Sequence, residues 1–188
     1  MNKFLALCGW ASSGKDTAAD ALELVGWDRR AFADPLRKLA LECDPIIYFD
    51  LDDEDKWRYG LGEYVSYADL MDSEGYEAAK KSKDEFRSFL QRLGAGARLV
   101  FGDSFWIDQT TLNLTRNTVW TDCRYVNEAE AIRSLGGFVV RIERPGTGPA
   151  NSFEEKSHGL IGFEVDAIIQ NDGSKEDLHK EILKFISF

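Results

Sequence analysis

Phe4-Leu5-Ala6-Leu7-Cys8, followed directly by Gly9-Trp10-Ala11-Ser12-Ser13-Gly14-Lys15-Asp16-Thr17, decides the fold. The first five residues are a short apolar run, as expected of a strand buried on both faces of a parallel sheet. Gly9 and Gly14-Lys15 then have the spacing G-x-x-x-x-G-K of a phosphate-binding loop. Its glycines permit positive φ and let a phosphate approach the main chain closely. Several N–H groups then converge on the anion, and the N-terminus of the following helix adds its partial positive charge. Lys15 reaches the outer phosphates as a point charge. Strong helix formers from Thr17 to Val25, with Gly26 just past them, complete the order strand, loop, helix. A ligand-free glycine turn is the alternative, but it leaves the lysine and the glycine spacing without a reason.

At 188 residues the chain suits one domain able to bury a substantial core, with room for an inserted subdomain. A net charge of −10 argues against a broad nucleic-acid or anionic-membrane surface, while leaving room for a local basic cleft. The start, Met-Asn-Lys and one strand-length apolar run, is too short for a signal peptide, and no apolar stretch is long enough to span a bilayer. Cys8, Cys43 and Cys123 form no C-x-x-C pair, which fits reduced thiols in a cytoplasm. His158 and His179 are too few and too far apart for a metal centre.

Beyond the loop, strands are expected at 29–33, 118–122, 138–142 and 167–169. Helices are expected from Asp34-Pro35, over 85–93, 105–114, 127–135 and 175–186. The alternation implies a parallel sheet covered on both faces. Residues 44–80 yield no clear elements. The acidic run at 50–55 lacks the glycine and closing glutamate of a calcium loop and reads as a solvated face; Trp57, Tyr59, Tyr64 and Tyr67 read as core aromatics. A glycine- and proline-bearing loop occupies 144–162.

Phe32-Ala33-Asp34-Pro35-Leu36, then Leu90-Gln91-Arg92-Leu93-Gly94 leading to Arg98 and Phe105-Trp106, then Asp122-Cys123-Arg124-Tyr125-Val126-Asn127-Glu128-Ala129 follow the loop in order. Together they resemble the bacteriophage deoxynucleoside monophosphate kinases, within the adenylate-kinase-like P-loop kinases. The Gly-Lys-Asp-Thr form of the loop is typical of those phage enzymes, so Asp16, standing where a magnesium-binding Ser or Thr is usual, counts toward the match. The resemblance covers roughly residues 3–146.

The resemblance implies a three-layer α/β/α P-loop fold, with a helical monophosphate-binding insertion at about 34–100 and a lid at about 144–162. It implies transfer of the γ-phosphoryl of ATP to a deoxynucleoside monophosphate, with Mg2+, giving the diphosphate and ADP. ATP would be held by Gly9, Ala11, Ser12, Ser13, Gly14, Lys15, Asp16, Thr17, Asp172 and Gly173. Lys15, Asp16, Arg124 and Arg144 would carry catalysis, and Asp16 and Asp122 the magnesium or its water shell. Phe32, Asp34, Arg37, Lys38, Gln91, Arg98, Trp106, Asp122, Arg124, Asn127 and Glu128 would contact the acceptor. The lid would exclude water as a competing acceptor. Partners would be small nucleotides rather than nucleic acid or membrane. The enzyme would work in the cytoplasm, the host's if phage-encoded, as monomer or homodimer.

Bland readings stand beside several of these roles. Glu128 caps the next helix or meets substrate; Asn127 does likewise; Trp106 packs the core or walls the nucleoside pocket. Arg37, Lys38 and Arg98 grip phosphate or are ordinary surface charges. Asn171-Asp172-Gly173 borders adenine or merely starts a helix. Where the family often has His-x-Ser-Glu after the lid, this chain has Ser157-His158 and only later Glu164, so His158 is read as an exposed lid residue. Two rivals remain: a P-loop kinase of another small phosphorylated acceptor, and a nucleotide-dependent switch protein. No Asn-Lys-x-Asp base motif supports the second.

Overall fold

The structure, a computed structural model, describes residues 2–49, 63–76, 78–79, 84–149, 160 and 162–187. It divides into two compact units, one formed by Met1–Ala33 with Trp106–Phe188, the other by Asp34–Phe105.

The first unit is built on a parallel sheet. Its strands are β1 (Phe4–Cys8), β2 (Asp28–Arg30), β5 (Thr118–Trp120), β6 (Phe138–Glu143) and β7 (Ala167–Gln170), in the spatial order β2-β5-β1-β6-β7. β1 lies at the centre, with Ala6 opposite Trp120 on one side and Val139 on the other. Strand periodicity sorts its side chains between two cores. Leu5 and Leu7 join the core formed with α1 (Lys15–Glu23) and α7 (Lys175–Ile186), including Ala18, Leu22, Leu178 and Ile182. Ala6 and Cys8 join the opposite core, with Trp120, Ile132 of α6 (Val126–Ser134) and Ile107 of α5 (Phe105–Thr111). A sheet with helices on both faces is the three-layer α/β/α arrangement expected from the alternating sequence. Each fully buried leucine contributes about 1.5–3 kcal/mol, so β1 must be apolar throughout.

Local signals hold the elements in place. Gly26, at φ 86°, ends the turn after α1, and Trp27 N–H returns to the Leu22 carbonyl at 3.1 Å. Gly137 lets β6 pass β1, since a Cβ there would lie 2.7 Å from the Phe4 carbonyl. Ser174 caps α7 by accepting the Asp177 N–H, and bonds from Ser174 hold the Asp177 carboxyl below its ordinary pKa. The helix expected over 105–114 stops at Thr111, and Asn113 takes a positive φ of 55° just beyond. The helix expected over 85–93 runs on to Phe101, through Gly94 and Gly96, while the other strands and helices begin and end within about three residues of expectation.

The second unit contains α2 (Asp34–Cys43), a hairpin of β3 (Ile46–Phe49) with antiparallel β4 (Glu63–Ser66), α3 (Tyr67–Ser73) and α4 (Asp84–Phe101). Its core gathers Ala40, Ile47, Tyr67, Leu70, Phe86 and Leu90, with Tyr67 stacked on Phe86 at 5.2 Å. The hairpin answers why 44–80 resisted reading. Its two strands are four residues each and far apart in sequence, so no local period marks them. Tyr67 is core, as expected, whereas Tyr64 is exposed. The acidic run at 50–55, Trp57, Tyr59 and His158 lie outside the described residues.

Candidate active site

The carboxyl ends of β1, β5, β6 and β7 bring together most of the residues singled out in the first unit. The loop after β1 uses three positive-φ residues, Gly9 at 134°, Ser12 at 61° and Gly14 at 107°. Both glycines are obligatory for space as well as torsion. A Cβ on Gly9 would stand 2.3 Å from the Ile142 carbonyl and 2.9 Å from Ser13 Oγ; one on Gly14 would stand 2.4 Å from Asn171 Nδ2. Ser12 holds a conformation that costs a non-glycine residue energy, the kind of local strain that gathers at functional loops. The Lys15 ammonium lies back across the loop, donating to the carbonyls of Gly9 at 2.8 Å and Trp10 at 2.6 Å. Ala11, Ser12 and Asp16 are exposed, Thr17 is half-buried, and Ser13 is fully buried.

Asp16 sits in the first turn of α1, where the helix dipole favours a carboxylate. That carboxylate pairs with the Arg29 guanidinium of β2, which also reaches Asp20 at 3.0 Å and Glu23 at 3.4 Å. Asp122, just past β5, accepts the backbone N–H of Phe32 at 2.6 Å with one oxygen and that of Ala33 at 3.1 Å with the other. It thereby fixes the turn that ends the β2 segment. Phe32 is buried and stacks on Trp120 at 6.0 Å.

Beyond Asp122, Arg124 is half-buried at the start of α6. Glu128, only 4% exposed, accepts the N–H of Arg124 at 2.8 Å and of Tyr125 at 3.1 Å. Through these two bonds it caps the N-terminus of α6, the capping role that was one of its two readings. Asn127 Oδ1 accepts the Glu128 N–H at 3.0 Å within the same turn. Trp106 is buried, as the core reading requires.

An open cleft of about 290 Å³ borders the loop, lined by Gly9, Trp10, Arg141, Glu143, Arg144 and Thr147 among others. Arg144 is exposed at the end of β6, and its carbonyl accepts the Thr147 hydroxyl at 2.7 Å. The sequence reading overlooked Arg141. Its guanidinium donates to the carbonyls of Leu160 at 2.8 Å and Phe163 at 3.1 Å, tying the chain returning from the loop to β6. A charge inside the apolar run Phe138–Ile142 was the available signal. Burial pushes the neighbouring Cys8 thiol above its ordinary pKa, with Arg141 opposing. Most of the expected lid, residues 150–159 and 161, lies outside the described residues.

Asp172 and Gly173 follow β7 and line a separate hollow with Asp177 and Glu181. Asn171, immediately before them, is 7% exposed and donates its Nδ2 to the Ser13 carbonyl at 2.8 Å. It is a strut of the phosphate-binding loop, a role neither sequence reading gave it.

The remaining acceptor candidates belong to the second unit. Asp34 and Arg37 pair at 3.1 Å in the first turn of α2, and the Arg37 guanidinium lies 4.4 Å over the Tyr76 ring. Lys38 is exposed. Gln91 is exposed and Arg98 half-buried on α4, two turns apart and so on one face.

For magnesium, no group of three or more His, Cys, Asp or Glu side chains is assembled among the described residues. Such a set does not make an all-protein cage. Asp16 and Asp122 are the carboxylates the sequence singles out for such an ion, and Asp122 accepts a backbone N–H with each of its oxygens.

Residues 61–182 match the family described as deoxynucleotide monophosphate kinase. A protein of Acanthamoeba polyphaga mimivirus, given that description provisionally, is 27% identical over 193 residues, covering 97% of this chain and 95% of its own. The deoxynucleotide monophosphate kinase of Escherichia phage RB69 is 31% identical over 132 residues, which are 64% of this chain and 54% of that one. Among solved structures, dephospho-CoA kinase from Campylobacter jejuni aligns over 100% of this chain and 96% of its own, at 16% identity and a TM-score of 0.46. No helix among the described residues is long and apolar enough to cross a membrane.

Proposed function

The chain belongs to the deoxynucleotide monophosphate kinase family and is a phosphotransferase, and from that premise we propose that it moves the γ-phosphoryl of ATP to a deoxynucleoside monophosphate, releasing the deoxynucleoside diphosphate and ADP. The observation that carries this reading is the loop after β1. Two glycines at positive φ and a lysine at the first turn of α1 form a cradle for an anionic tail at the carboxyl end of the central strand.

Phosphoryl transfer asks the protein for position and charge neutralisation more than for covalent chemistry. Gly9 and the segment 11–17 take the β- and γ-phosphates through backbone N–H groups. Lys15 leaves or shares its carbonyl partners to meet the outer phosphates. Arg124 and Arg144, at the ends of β5 and β6, neutralise charge as it develops between donor and acceptor. Asp172 and Gly173 border the adenine. Magnesium, when bound with ATP, draws charge from the phosphates; Asp16 and Asp122 are the carboxylates for its water shell.

Asp34, Arg37, Lys38, Gln91 and Arg98 of the second unit are the residues we assign to the acceptor. The enzyme works on free nucleotides in a cytoplasm, as monomer or homodimer. The test is a panel of deoxynucleoside and ribonucleoside monophosphates with ATP and magnesium. A deoxynucleoside diphosphate product is expected; no diphosphate from any nucleotide acceptor would overturn the reading.

A further inference from the structure

We propose that Asn171 is a positioning residue that aims the Gly14 N–H at the donor's phosphates and so sets the loop's affinity for a triphosphate. The inference rests on the kinase reading above and adds the residue that shapes its cradle. Asn171 is held from two sides. Its backbone N–H donates to the Glu143 carbonyl at 2.7 Å, which ties it to the end of β6, while its Nδ2 donates to the Ser13 carbonyl at 2.8 Å. The Ser13–Gly14 peptide is trans, and in a trans peptide the carbonyl and the N–H point to opposite sides. Drawing the Ser13 carbonyl toward Asn171 therefore turns the Gly14 N–H away from it, toward the open side of the loop. Among the described residues that N–H has no partner.

The fit is specific. Asn171 Nδ2 occupies the space a Gly14 side chain would need, and Leu178 Cδ2 closes the same space at 3.0 Å. Glycine at position 14 also makes rotation of this peptide easy, because positive and negative φ are both open to it. Without the Asn171 amide the Ser13 carbonyl loses a buried donor, and the peptide is free to turn its N–H away from the anion.

The experiment is displacement of a fluorescent ATP analogue by inorganic tripolyphosphate, with binding of a deoxynucleoside monophosphate measured alongside. Asn171→Ala is expected to weaken tripolyphosphate about tenfold, the size of one hydrogen bond to a charged group, and to leave monophosphate affinity unchanged. Asn171→Asp should weaken it further, since its carboxylate faces a carbonyl oxygen and repels the anion. Equal tripolyphosphate affinity in wild type and a folded Asn171→Ala overturns the role of Asn171 while the kinase reading stands. A wild type that binds no tripolyphosphate removes both. Should the variants not fold, the Gly14 amide resonance of the wild type decides: a downfield move on adding tripolyphosphate supports the inference, and an unmoved resonance overturns it.

Discussion

Arg29 and Asp16 are joined by an ion pair that links β2 to the first turn of α1, at the position where a magnesium-binding hydroxyl is usual in such loops. The Asp16 side chain is 78% exposed and that of Arg29 30%, so the pair is solvated and adds little to stability. Its interest lies in charge. A carboxylate beside the proposed triphosphate site repels the ligand, and Arg29 offsets that repulsion at the residue we propose for the metal's water shell.

Asp16→Ser is accordingly expected to change the magnesium concentration needed for half-maximal turnover more than it changes the acceptor's KM. Arg29→Gln should lower stability by no more than about 1 kcal/mol in a urea titration. An unaltered magnesium curve in Asp16→Ser would confine Asp16 to its pairing with Arg29.

Lys15→Ala should lower kcat by about a hundredfold or more if Lys15 swings from its carbonyl partners to the developing phosphate charge as proposed. The fold should persist, since Lys15 is only partly buried and the Gly9 and Trp10 carbonyls it meets belong to the partly exposed loop. Circular dichroism and turnover measured on the same preparation check both halves. Full activity in the variant would remove the loop from the chemistry.

Glu128→Ala leaves two backbone N–H groups at the start of α6 without their buried acceptor. The expected cost is about 1–3 kcal/mol, read from the urea midpoint at unchanged m-value. A loss within a few tenths of a kcal/mol would show that water replaces the cap.

The thiols predict an alkaline limit. Burial, reinforced by Glu128 and Asp122, holds the Cys123 thiol well above its ordinary value near 9, and burial raises Cys8 in the same direction. The folded chain therefore keeps these protons to higher pH than the unfolded chain. Their contribution is complete below about pH 9 and is lost as pH rises through the folded values. Denaturant midpoints should fall across that range. At pH 8 an aromatic disulfide reagent should titrate exposed Cys43 quickly and the two buried thiols only on unfolding.

The sequence determined the central strand, the loop and the first helix, because each depends on neighbours in the chain. An apolar run must be buried, Gly9 and Gly14 must bend, and a lysine must begin the helix. It also determined the three-layer arrangement, since alternating strands and helices leave few other ways to cover a parallel sheet. What each polar side chain does was decided by tertiary structure. Asp122 reads only as a ligand in a string of letters and Glu128 as a cap or a ligand; that both accept backbone N–H groups is set by turns that exist only once β2, β5 and α6 are packed. Asn171 acquires its place against Ser13 across 158 residues of chain, and the hairpin of β3 and β4 forms by pairing segments with no period of their own. Contacts between distant residues are made by the folded chain alone, so no local reading of charge or spacing could assign them.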